Sequence, residues 1–96
     1  MANDNDLALI LVKQRLDMLP EATHKDEYLK ARIDAARARL ERMGIHLTDS
    51  MQDTMLLVDV TVFDYQSRDK QTGMPDWLRM AIRERFLSDA REEGGA

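Results

Sequence analysis

The chain has 96 residues, no cysteine and a formal net charge of −4. A disulfide framework and a cysteine-based zinc site are therefore excluded, and the acidic balance offers no global attraction to nucleic acid or anionic lipid. Hydrophobic residues at 44% beside charged residues at 33% place the chain among globular proteins, and this length suits one small domain that buries about 60–65% of its unfolded surface.

The first predicted element runs from near Asp4 to Asp17, with Leu9, Val12, Leu16 and Leu19 as one apolar seam and Leu7, Leu11 and Met18 roughly opposite. Pro20 is expected to stop it. Its apolar run is too short, and its N-terminus too acidic, for a secretory signal or a membrane span. The second helix is expected to begin near Thr23, whose hydroxyl caps it while Asp26 reaches back, a variant of the capping box. Its seam is Leu29, Ile33, Ala36, Leu40 and Met43, with Ala31, Ala35 and Ala38 beside it to admit a close neighbour. Gly44 followed by Ile45 predicts a Schellman-type end.

The third segment is ambiguous at first sight. Val58, Val60 and Val62 alternate as in a strand, whereas Met51, Met55, Val58, Val62 and Tyr65 recur at helical spacing. No glycine or proline interrupts Asp49 to Lys70, which is far too long for one strand. Thr48, Asp49 and Ser50 supply caps at the front, and Arg68 and Lys70 supply cations at the end. The reading is therefore a helix from about Asp49 to Ser67. Its second apolar stripe, Leu56, Val60 and Phe63, lies nearly opposite the first, with Gln52 and Asp59 on one polar strip between them and Asp53 and Asp64 on the other. A helix with two apolar faces is either central in its fold or meets another subunit.

The fourth helix opens after Gly73 with Pro75 in its first turn. Met74, Trp77, Leu78, Ala81, Ile82 and Phe86 give it a broad apolar face, and Arg85 projects near the middle of that face. Such a charge either snorkels toward the helix end or is met by an aspartate of helix three or of a neighbouring subunit. Beyond Leu87 the sequence lacks apolar residues and is expected to fray.

The fold expected is all-α: a bundle of about four helices in a single domain, 1–96, with its core from about 6 to 88 and flexible segments at 1–5 and 89–96. Candidate core residues are Leu9, Val12, Leu16, Leu29, Ile33, Leu40, Met55, Val58, Val62, Trp77, Leu78, Ile82 and Phe86. Candidate intersubunit contacts are Leu7, Leu11, Leu56, Val60 and Phe63.

No catalytic, cofactor-binding or metal-ligating set can be assembled from the sequence. His24 and His46 fall in or beside loops without converging partners. Asp59 and Asp64 point in different directions on a helix, so ion pairing is their expected role. Phosphate loops, nucleophile elbows and zinc-hydrolase motifs are missing. Helix two carries Lys25, Lys30, Arg32, Arg37, Arg39 and Arg42, and helix four Arg79, Arg83 and Arg85. Interleaved acids make these clusters solvated mixed-charge faces before phosphate-binding ones.

The alanine-rich second helix ends at Met43-Gly44, a Leu-Thr-Asp-Ser link follows, and the apolar third helix ends Tyr65-Gln66-Ser67-Arg68. The fourth opens Met74-Pro75-Asp76-Trp77-Leu78-Arg79. From about Leu9 to Leu87 this order resembles the head–tail connector (adaptor) proteins of tailed phages and prophages. The resemblance implies a small helical subunit without enzymatic activity or cofactor, forming a ring of about twelve copies in the virion neck. Its implied partners are copies of itself, the portal and tail-side proteins, with DNA only as cargo through the ring. No membrane and no small-molecule substrate is implied, and assembly would take place in host cytoplasm. The short polar C-terminal tail departs from longer members of the family, which puts a tail-mediated portal contact in question. The alternative reading is a small helical DNA-binding or regulatory module built on the helix-two arginines.

Overall fold

The computed structural model describes residues 4–68 and 73–94. Among them are four helices and no strand: α1 Asp4–Arg15, α2 Asp26–Arg42, α3 Met51–Gln66 and α4 Asp76–Gly94. The valine-rich segment is thus helical throughout. Among the described residues α1, α2 and α3 pack against one another, whereas α4 has α3 as its single helical neighbour and also meets the α2–α3 turn. The molecule measures 46 × 38 × 18 Å, a slab two helices thick. Its radius of gyration of 14.0 Å exceeds the about 12.5 Å expected of a compact chain this long. No described helix is long and apolar enough to cross a membrane.

The helix ends follow local chemistry. Two of them are Schellman turns. At Gly44, with φ +93°, the Ile45 N–H donates to the Leu40 carbonyl and the Gly44 N–H to that of Glu41. The second lies at Asp17, with φ +58°, where the Met18 N–H donates to the Lys13 carbonyl at 2.8 Å. Helix α1 therefore closes before Pro20, because aspartate is one of the few residues that tolerate the left-handed region. The Thr23 capping box does not form. Helix α2 starts at Asp26 behind Lys25, which makes no side-chain cap, and the Asp26 carboxylate is engaged by Lys13 at 2.9 Å. Lys13 is only 5% exposed, and its Nζ also donates to the Pro20 carbonyl, so one cation ties down the α1–α2 link.

At the start of α3 the Ser50 hydroxyl accepts the Asp53 N–H at 3.1 Å, as an N-cap should. Pro75 stands immediately before α4, its carbonyl taking the Arg79 N–H. At the other end α4 does not stop near Leu87 but continues to Gly94, with Asp89 held by the His46 N–H and by Arg85. Arg68 caps the α3 C-terminus by donating to the Tyr65 carbonyl, and Lys70 lies outside the described residues. So do residues 1–3 of the N-terminal segment and 95–96 of the C-terminal one, both expected to be flexible.

Helix α3 is the centre of the fold. Leu56, Leu57, Val58, Val60, Thr61, Val62 and Tyr65 are all buried, together with Asp53 and Thr54. Its two apolar stripes merge into one buried arc covering about two-thirds of the circumference. They merge because the polar strip containing Asp53 is itself covered, its charge being met by Arg85. Thr61, fully buried, donates to the Leu57 carbonyl at 2.8 Å and so costs nothing in unpaired polarity. Leu56 and Val60 thus belong to the intramolecular core and are not free for another subunit; Phe63 and Leu11 are partly buried against the same core.

Leu9, Val12, Leu29, Ile33, Leu40, Val58, Val62, Leu78 and Ile82 are core residues, and Leu16 packs on the core edge. Met55, Trp77 and Phe86 are not core: they are 37%, 55% and 42% exposed. Met55 flanks the one polar strip of α3 that stays open, beside Gln52 and Asp59. Trp77 and Phe86 are exposed because α4 has a single helical neighbour, which covers one stripe and no more. Ala31, Ala35 and Ala38 face outward as well; the small residues at the helix contacts are Ala8 and Ala36.

Candidate assembly surface

Helix α4 is the element whose surface the fold leaves unfinished. Its inner side carries Leu78 and Ile82 into the core, with Arg85 and Asp89 one and two turns on. Arg85 is the hub of this docking. Its Nε donates to Asp53 Oδ1 at 2.7 Å and its Nη2 to Oδ2 at 3.0 Å, a bidentate pair between α4 and the first turn of α3. Nη2 also donates to the His46 carbonyl at 2.7 Å, and Nη1 to Asp89 on the next turn. Asp53 completes its shell with the Thr48 N–H at 2.7 Å and the Thr48 hydroxyl at 2.9 Å. Of the two partners foreseen for Arg85, the aspartate of helix three is the one found.

The charges answer to this geometry. Burial pushes the Asp53 carboxyl up, but Arg85 and both Thr48 donors outweigh it and hold the group below its ordinary value. Asp89 is also held low, by Arg85 first and the His46 N–H second. Arg85 is shifted upward by Asp53 and Asp89 and stays charged.

The outer side of α4 has no such partners among the described residues. Trp77 and Met80, 55% and 60% exposed, lie one turn apart, and Leu87 continues the stripe at 42%. On one flank, Met43, Ile45, Met74, Ile82 and Phe86 floor a groove of about 450 Å³ between α4 and the α2–α3 turn. Arg39, Arg79 and Arg83 rim it. Phe86 leans on Gly44 so closely that a Cβ there would meet Cε2 at 3.0 Å, so glycine serves both the turn and this contact. On the other flank, Met51 and Met55 stand exposed beside Ala81.

Of the residues expected to meet another subunit, only Leu7 is exposed, at 36%, with Ile10 beside it at 54%. Further exposed apolar surface lies on α4, at Met80 and Leu87, which sequence reasoning passed over. Their three- and seven-residue spacing from Trp77 and Met80 was the available signal.

Several of the remaining polar candidates are engaged in structural contacts. Asp59 takes Arg15 at 2.5 Å and Asp64 takes Arg39 at 3.2 Å. Lys25 donates to the Tyr65 hydroxyl at 2.9 Å, Arg32 to that of Tyr28 at 3.0 Å, and Lys30 lies 3.7 Å from Glu27. The Tyr65 hydroxyl is held below its usual range, chiefly by the Lys25 hydrogen bond. Among the described residues no group of histidines and carboxylates has the arrangement of a metal site. His24 and His46 are both exposed. No protein-family model matches the chain, and neither a curated protein nor a solved structure is found similar to it.

Proposed function

We propose that this chain is a structural assembly protein of the phage head–tail connector kind. It is a non-enzymatic subunit that joins copies of itself into a ring between the portal and the tail-side proteins, with DNA passing through as cargo. The resemblance of its helix order and of the Met74–Arg79 segment supports this reading. The observation that carries it is the outward stripe of Trp77, Met80 and Leu87 on a helix already docked by its opposite side. Large apolar side chains grouped on an exposed face are a cost to a monomer and mark a surface that another molecule covers.

The DNA-binding alternative draws less support, since Lys25, Lys30, Arg32 and Arg39 are engaged within the chain. A solvated, partly neutralised face releases few counterions, so any duplex binding by the free protein should vanish at physiological salt. The test is reconstitution with a portal protein taken from the same genome. Electron microscopy of the mixture should show an added ring on the portal's outer end. Portal particles that stay bare, together with tight duplex binding at physiological salt, would transfer the assignment to the regulatory module.

A further inference from the structure

We infer that the arginine-rimmed groove between α4 and the α2–α3 turn receives helix α1 of a second copy of this chain. This rests on reading the chain as a self-assembling subunit and specifies the two patches that meet. Among the described residues the groove lining holds three arginines and no acid. Arg39 and Arg79 each share a carboxylate, with Asp64 and Asp76, yet remain 42% and 66% exposed, and Arg83 is exposed on the same rim. Beneath them lies an apolar floor open enough to take branched aliphatic side chains.

The exposed side of α1 is the complement. Asp6, Leu7, Ile10 and Gln14 all face outward, an acid beside two apolar anchors one turn apart. The two cations of α1 are turned away to in-chain partners, Lys13 to Asp26 and Arg15 to Asp59. An apolar pair at helical spacing flanked by acid, against an apolar floor rimmed by arginine, is the pattern of a helix lying in a groove.

Among the described residues these two patches do not meet within one chain. Helices α1 and α4 both pack on α3 and do not touch each other. Joining two different patches is a head-to-tail contact, which closes into a ring or runs on as a filament, whereas a two-fold dimer pairs one patch with itself.

The absence of cysteine allows a direct test. Ile10→Cys and Met43→Cys each alter an exposed side chain, one on each patch. Mild oxidation of their equimolar mixture should give a mixed disulfide dimer, and neither variant alone should give one. A chain carrying both changes should give a ladder of higher species. Asp6→Lys or Arg83→Glu should each lower the mixed cross-link at least about tenfold, and both reversals in one chain should recover it.

A homodimer from either single variant, or a mixed yield no higher than that of Tyr28→Cys with Met43→Cys, overturns the contact. Sedimentation of the same samples separates the two failures. Association without the mixed cross-link removes this pairing and leaves the assembly reading standing. Neither association nor cross-link, with the portal present as template, removes both.

Discussion

Replacing Arg85 with methionine keeps most of the side-chain volume and removes the guanidinium that docks α4. Asp53 is only 4% exposed and would lose two of its four hydrogen bonds, keeping the Thr48 N–H and hydroxyl. Removing one partner of a buried ion pair costs about 3–5 kcal/mol, and the two retained donors place this case lower, at about 2–3 kcal/mol. Because α4 docks on α3 and on the α2–α3 turn at Gly44 and His46, outside the packing of α1 and α2 on α3, the loss should fall on α4 first. Hydrogen exchange read by mass spectrometry should show α4 amides losing about 30- to 160-fold in protection, while those of α1 and α2 change little. A double-mutant cycle with Asp53→Ala should return a coupling of at least about 1 kcal/mol. Protection in α4 that falls less than about fivefold, or loss spread equally over α1 and α2, would refute Arg85 as the docking hub.

The same cluster sets an acid limit. Asp53 and Asp89 are held below their ordinary value of 3.8, so their stabilisation is present above that pH and is lost as pH falls through the lower folded values. Denaturant unfolding should therefore be nearly flat from pH 7 to 5 and fall toward pH 3, with a shallower fall in Arg85→Met; parallel curves would contradict the linkage. Gly44→Ala forces a side chain into a left-handed turn and against Phe86, and should cost about 1–2 kcal/mol in thermal unfolding, whereas no loss would mean the turn relaxes freely. Thr61→Val keeps the buried volume and removes a hydroxyl satisfied only by its own helix, so stability should stay within about 1 kcal/mol of the parent. A larger loss would give that hydroxyl a role beyond the Leu57 carbonyl.

The fold was legible where the sequence constrains the backbone itself. Gly44 announces a left-handed turn, Ser50 a cap, and the uninterrupted run after it a helix rather than a strand. The seams were legible over Leu9–Val12–Leu16 and Leu29–Ile33–Ala36–Leu40, where α1, α2 and α3 pack on one another. They failed at their ends: Leu19 lies past the Asp17 turn and Met43 at the close of α2, and both are exposed. What failed needed knowledge of partners. Asp53 looked like solvent-facing polarity until Arg85, 32 residues later, covered it, and that single pair turned the supposed outer stripe of α3 into core. Trp77 and Phe86 were assigned to the interior on size and spacing. Which side of α4 faces α3 is set by Leu78, Ile82 and Arg85 together, and periodicity alone does not rank those sides. Asp17 likewise ended α1 through a backbone conformation that composition does not announce.

The central claim is that the outer side of α4 is built to be covered by another molecule. Trp77 is the only tryptophan and is 55% exposed, so its fluorescence reports on that side directly. Emission from the dilute monomer should be that of a solvent-exposed indole. It should shift to the blue as concentration, or added portal, drives association followed in parallel by sedimentation. Assembly that leaves Trp77 emission unchanged, or emission already blue in the monomer, would contradict the claim.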